Sequence, residues 1–327
     1  MSNGKFVISL DFELMWGVRD KKSKTTYGEN ILGVHQALPQ MLRMFRDYGI
    51  NATFSTVGFL FFETKKDLLN NLPNIKPAYH DSNLSPYNGY FDELGDDYKN
   101  DKYNFATDLL REIQKYPEQE IGTHTFSHYY CLEPGQTPEA FRDDLNKAID
   151  IAEKQNIRLT SLVFPRNQFN NEYLKVCSDL GIVCYRGNEH SWLYDAKNAA
   201  SESYFRRALR LIDAYVNISG HNCYSDEYMS SKTPYDIPSS RFLRPFSKKL
   251  AALDGLRLKR ITSGMSYAAK NNLTYHLWWH PHNFGTDQTE NFNFLEKILK
   301  HYSKLNKEYN LQSITMTELA LQLRKQK

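Results

Sequence analysis

Apolar residues along this chain come in two alternating rhythms. Short β-branched or apolar runs at 6–10, 51–57, 120–123, 159–164, 182–185, 273–279 and 312–315 have the length and composition of buried strands. Between them the spacing changes to that of helices. The segment 38–48 sets Leu38, Met41, Leu42 and Phe45 on one face and stops at Gly49. The same rhythm predicts helices over 103–115, closed by Pro117, and over 138–155, where Thr137 stands as an N-cap ahead of a proline. Further helices are predicted over 172–180, ended by Gly181, over 288–305 and over 317–325.

Repeated strand-then-helix units predict an α/β fold, a parallel sheet with helices outside it. Two stretches break the alternation. One is 65–102, rich in Asn, Asp, Pro and Tyr; the other is 186–244, long and mixed, with a helix expected over 201–214. Strand–helix units resume after each, so both read as insertions on a single domain rather than as linkers. A chain of 327 residues suits one α/β barrel of about 250 residues with such insertions.

Composition narrows the partners. With 41% hydrophobic and 24% charged residues the chain is globular. Its 22 tyrosines, many beside polar residues, suit carbohydrate or another flat ligand. A net charge of +3 without a basic tail gives no sign of a nucleic-acid partner. The four cysteines form no Cys-x-x-Cys pair, so free, mostly buried thiols are expected and structural zinc is not. No apolar run approaches a membrane span, and the first residues lack a signal-peptide pattern, which favours a cytoplasmic protein.

Candidate chemistry sits in four places. Asp11 and Glu13, two apart at the end of the first run, lie on one side of an extended chain, where they can share a cation or divide metal binding from proton transfer. A solvated strand end is the competing explanation. His124 and His128, four apart behind Gly122, bring two imidazoles together, the commonest protein ligands for zinc. Arg166, after the run 159–164, is suited to clamp a carboxylate, or equally to a surface salt bridge. His280 and His282 follow the run 273–279, and one of the two is expected to face a pocket. The adjacent Trp278 and Trp279 read as core or as a sugar platform, and His276, inside the strand, as a satisfied core histidine. Each cluster follows a predicted strand. In parallel α/β folds those strand ends converge on one face, which turns scattered positions into one site.

Together these residues resemble the polysaccharide deacetylases, the NodB-homology group of carbohydrate esterase family 4, over nearly the whole chain. The Asp-x-Glu strand end, Thr-His-Thr-Phe-Ser-His and the late His-Pro carry the likeness. The resemblance implies a distorted (β/α)7-type barrel and a divalent metal, foremost zinc, with cobalt, nickel or iron compatible. It implies Asp11 as catalytic base, Glu13, His124 and His128 as metal ligands, Arg166 as the arginine that orients the base, and His280 as catalytic acid. Phe12 separates the two acids that many members carry side by side, as in an Asp-x-Glu branch associated with peptidoglycan and O-antigen. The usual Arg-x-Pro order appears here as Pro165-Arg166.

The expected activity is metal-assisted removal of an N-acetyl or O-acetyl group from a sugar or glycan precursor, nucleotide- or lipid-linked if intracellular. Rival readings are a deformylase of a lipid-linked amino sugar and an inactive glycan-binding protein. A two-carboxylate glycosidase is disfavoured, because Asp11 and Glu13 on one strand end are too close to flank a glycosidic bond at about 5–9.5 Å.

Overall fold

The computed structural model describes residues 3–194 and 203–325. Nine strands form one wholly parallel sheet: β1 (Lys5–Phe12), β2 (Ala52–Thr56), β3 (Glu120–Thr123), β4 (Ser161–Leu162), β5 (Cys184–Tyr185), β6 (Tyr235–Asp236), β7 (Arg241–Phe242), β8 (Thr274–Trp279) and β9 (Gln312–Ser313). The order is β6-β5-β4-β3-β2-β1-β8-β7, with β9 alongside the start of β1. Its two ends belong to one stretch of chain. The Ile237 and Ser239 amides donate to Tyr185 and Gly187 on the β5 side, and the Ser240 and Leu243 amides donate to His276 and Trp278 on β8. The segment therefore hands over from one edge to the other and closes the sheet, giving a distorted (β/α)7-type barrel in a single domain.

Outside it lie α1 (Lys24–Tyr48), α2 (Lys65–Asn70), α3 (Thr107–Ile113), α4 (Pro138–Glu153), α5 (Asn171–Asp179), α6 (Tyr204–Asp213), α8 (Asp254–Asn271) and α9 (Gln288–Tyr309), whereas α7 (Asp226–Met229) buries Met229 in the barrel interior. The last helix, α10 (Met316–Lys325), contributes to the barrel interior. Alternation along β1 explains the two cores. Phe6, Ile8, Leu10 and Phe12 join the layer packed by Leu38, Met41, Leu42 and Phe45 of α1 and by α9. Val7 points the other way, into a smaller cluster with Val163, Cys184, Ile237 and the α10 residues Met316, Leu319 and Leu323. Beyond Val7 the same inward face carries Ser9 and Asp11, so the interior turns from apolar to polar toward the strand ends.

Three expectations change. The stretch 186–244 is not wholly an insertion: Arg186 lies beside β1, and β6 and β7 form barrel wall. Strands of two residues, broken by Pro238, are too short to show a period. Helix α1 starts at Lys24, capped by Ser23, rather than at 38. The packing requires a glycine within that extension, because a Cβ at Gly33 would meet the Gly285 carbonyl oxygen at 1.9 Å. Helix α8 was not anticipated, since Arg257 and Arg260 occupy its buried face beside Ile261 and Met265. The helix expected over 201–214 is α6, and residues 201 and 202 lie outside the described residues. All four cysteines are free, and no described helix is long and apolar enough to cross a membrane.

Candidate active site

The C-terminal ends of β1, β3, β4, β5 and β8 converge, and the functional groups follow them. Asp11, the last inward-facing position of β1, is buried and held at two points by Arg186, Nη1 to Oδ1 at 2.6 Å and Nη2 to Oδ2 at 2.8 Å. Burial alone would raise the Asp11 carboxyl, but the Arg186 guanidinium, aided by His124 and His280, keeps it below the usual carboxylate range. Arg186 is itself fixed through both Nη atoms and its guanidinium face. Nη1 donates to Ser9 Oγ, Nη2 donates to Asn167 Oδ1, and the Trp278 ring lies 4.1 Å from its Cζ. His276 completes the chain of donors. Its Nδ1 donates to Ile237 O, so its Nε2 accepts from Ser9 Oγ at 2.8 Å. His276 is thus the satisfied interior histidine that its place in the strand suggested.

Glu13 follows β1 at the start of a 3-10 turn, Leu14–Gly17, where Leu14 takes a positive φ of 47°. The turn is pinned from the first insertion and its edge. Tyr103 O accepts from the Met15 amide, and Asn104 O accepts from Trp16 Nε1 at 2.7 Å. The Glu13 carboxylate meets two imidazoles, His128 Nε2 at 3.0 Å and His124 Nε2 at 3.3 Å from Oε2. His124 Nδ1 lies 2.7 Å from Val163 O, a pure acceptor, so Nδ1 carries the hydrogen and Nε2 turns to Glu13. His128 Nδ1 faces the Tyr130 hydroxyl at 3.1 Å, and burial pushes His128 down to about 4. Burial would raise Glu13, but His280, His124 and His128 hold it well below its ordinary range. A carboxylate oxygen set against two imidazole nitrogens is a donor set that a cation reconciles, with separations near the ~3.3 Å between neighbouring ligands of a tetrahedral zinc. The residues present therefore fit the divalent ion.

His280 and His282 both reach the same carboxylate, against the expectation that only one would. Their Nε2 atoms lie 3.7 and 3.5 Å from Glu13 Oε1, and His280 Nε2 is also 3.7 Å from Asp11 Oδ2. Pro281 ends the strand and starts a 3-10 turn over Pro281–Phe284, so strand alternation no longer decides where the second ring points. His280 is 24% exposed, whereas Asp11, Glu13, His124, His128 and His282 are buried. Trp279 enters the core against Phe45 and Phe284, leaving Trp278 at the site.

Arg166 is the expectation that the geometry overturns. Its guanidinium pairs with Asp20 and Glu133 and stacks on Tyr130, 4.0 Å from the ring centroid, instead of touching Asp11. Arg166 and Asn167 both adopt positive φ, 55° and 54°. That turn sends Asn167 toward Asp11's arginine and Arg166 away toward the support of His128. The residue on Asp11 is Arg186, which sequence reasoning missed by assigning it to an insertion. Its signal was present, since it directly follows the run 182–185, as the other clusters follow theirs.

In sequence, residues 19–185 match the polysaccharide deacetylase family, about half of the chain. The chain belongs to that family. Its members are hydrolases that act on acetyl groups of carbohydrate. The matched span holds His124 and His128 and ends one residue before Arg186. No curated relative matches the chain in sequence. Among solved structures, a protein assigned to the polysaccharide deacetylases from Mycobacterium smegmatis superposes with a TM-score of 0.62 at 10% identity, covering 99% of this chain and 91% of that one. PuuE allantoinase gives 0.54 at 8% identity, over 98% and 89%. The 4-alpha-glucanotransferase from Thermococcus litoralis gives 0.51 at 12% identity, over 98% of this chain and 40% of that one. At these identities the three likenesses establish the shared fold.

Proposed function

We propose that this polysaccharide deacetylase removes an N-acetyl group from a sugar in a metal-dependent hydrolysis. The observation that carries the reading is the placement of two buried carboxylates with different partners. Asp11 is held by an arginine, Glu13 by two histidines whose Nε2 atoms face it, and His280 stands 3.7 Å from both. Glu13, His124 and His128 would hold the ion, most simply zinc. When bound, such an ion polarises the acyl carbonyl and lowers the pKa of a coordinated water from about 15.7 towards 7. Asp11 takes the proton of the attacking water. Arg186 keeps that carboxylate ionised and fixes its plane, with Oδ2 toward His280. His280, the exposed member of the set, donates a proton to the departing nitrogen as the carbon–nitrogen bond breaks. Acetate and a free amino sugar result. Buried Arg186 and half-buried Trp278 shield this side of the site from bulk water, which strengthens each of these interactions.

The test is acetate release from a panel of N-acetyl and O-acetyl sugars by chelator-stripped protein with and without added zinc, beside Asp11→Asn. We expect zinc-dependent release from an N-acetyl sugar, and an Asp11→Asn variant that binds zinc but does not turn over. Full activity in that variant, or release that ignores chelation, rejects the mechanism. Tight sugar binding with no release rejects the enzyme altogether.

A further inference from the structure

Glu13 has two oxygens, and each faces its own pair of imidazoles. Oε2 serves His124 and His128, as described above. Oε1 faces His282 at 3.5 Å and His280 at 3.7 Å, and the three donor atoms lie within 4.8 Å of one another. This second set has a feature that protein contacts leave unexplained. His282 is 4% exposed, yet neither of its ring nitrogens has a hydrogen-bond partner, and His280 Nδ1 has none either. A buried imidazole without partners costs free energy unless a ligand outside the chain takes its lone pair.

The ring is also aimed. Tyr27 packs edge-on against it, with centroids 5.4 Å apart, and Asn30 Nδ2 donates to the His282 carbonyl at 3.4 Å. Helix α1 thus holds the turn that presents His282. Two imidazoles and one carboxylate match the borderline donor set that zinc prefers, at separations close to the ~3.3 Å expected between ligands around a tetrahedral ion.

We propose that Glu13, His280 and His282 form a second divalent-cation site, with Glu13 bridging it to the first, and that filling this site inhibits the enzyme. Inhibition rests on the proposed role of His280. Once its Nε2 is bound to a cation, His280 has no proton to give the leaving nitrogen, so excess zinc stops the reaction that the first equivalent enables. His282 and the Oε1 side of Glu13 are then the zinc-sensing elements.

Binding and activity test the two halves separately. Chelator-stripped full-length protein is titrated with zinc sulfate by calorimetry, with bound zinc counted after desalting. We expect two equivalents in the wild type and one in His282→Ala, with His282→Gln, closer in size, as the variant that guards against misfolding. Acetate release from the sugar that scores in the panel above should rise with the first equivalent and fall at least tenfold with the second. Both His282 variants should lack the falling phase. A single equivalent in the wild type, or a second equivalent that both His282 variants retain, overturns the site. Two equivalents with no fall in activity uphold the site and overturn the role of His280 as acid.

Discussion

At the residue scale the decisive side chain is Arg186, because a buried carboxylate is only as useful as its partner. Removing one member of a buried ion pair costs about 3–5 kcal/mol, as the other charge is left stranded. Arg186→Met is therefore expected to destabilise the fold by that amount. Arg186→Lys keeps the charge but loses the two-point hold. With the dominant lowering influence weakened, the Asp11 carboxyl rises, so the acidic limb of kcat/KM should move to higher pH in the lysine variant. An unmoved limb would sink the pairing of Arg186 with the proposed base. Arg166→Lys should leave that limb in place, since Arg166 reaches the site only through Tyr130 and His128. Gly17 offers a second test. A Cβ there would sit 1.9 Å from the Glu13 carboxyl carbon, and that carboxylate is the flexible end of a side chain. Gly17→Ala should fold, because Glu13 can swing away, but zinc affinity should drop by about 10–100-fold. Calorimetry showing undiminished affinity would rule out this account of the turn.

At the scale of elements, the His124–His128 turn depends on a helix that carries none of the proposed metal ligands. Thr125 and His128 take positive φ, 63° and 59°, which the chain tolerates only because neighbours hold them. Asp144 of α4 accepts from the Phe126 amide at 2.7 Å, the Ser127 amide at 3.1 Å and the Ser127 hydroxyl. Burial still pushes its carboxyl up to about 7 from an ordinary 3.8. Between those values the folded chain keeps a proton that the unfolded chain has released. The associated stabilisation is full below about 3.8 and lost as pH rises through about 7. The excess Tm of the wild type over Asp144→Asn should therefore shrink as pH rises across that window. Calorimetry that finds a constant difference would show that Asp144 does not titrate there. Half of the ten non-glycine residues with positive φ among those described (Leu14, Thr125, His128, Arg166 and Asn167) lie in these site turns, so strain gathers where the chemistry is.

At the scale of the whole molecule, closure of the barrel depends on one segment and one buried acid. Asp213, at the end of α6, accepts from Arg241 Nη1 on β7 at 2.5 Å, from Arg260 on α8 at 3.3 Å and from the Tyr194 hydroxyl at 2.8 Å. Burial would raise this carboxyl, but Arg241 and the surrounding donors hold it well below its usual range, so its stabilisation is present above pH ~4 and lost as pH falls further. Asp213→Ala strands two buried guanidinium groups at the seam between β7 and α8. A loss of about 3–5 kcal/mol in denaturant unfolding is expected, and a loss below about 1 would show that the seam does not depend on it. Both insertions act on the site through contacts of this kind. Tyr79 of the first accepts from the Tyr130 amide beside His128 with its hydroxyl, and the second begins at Arg186 itself.

Much of this was legible in the sequence. Strand and helix rhythm gave the parallel α/β order, and the residues that end each run named Asp11, Glu13, His124, His128 and His280, because local patterning needs no distant partner. The sequence could not say which arginine meets Asp11. Arg166 and Arg186 both follow strands, and two consecutive positive φ values at Arg166 and Asn167 turn the first away. Nor could it show that β6 and β7 close the barrel, since strands of two residues have no period to read. The second histidine on Glu13 was likewise decided by a turn, at Pro281, and by α1 packed across it. Sequence determined which groups stand at the strand ends. Tertiary structure decided which of them touch, because contact depends on backbone turns and on helices remote in sequence.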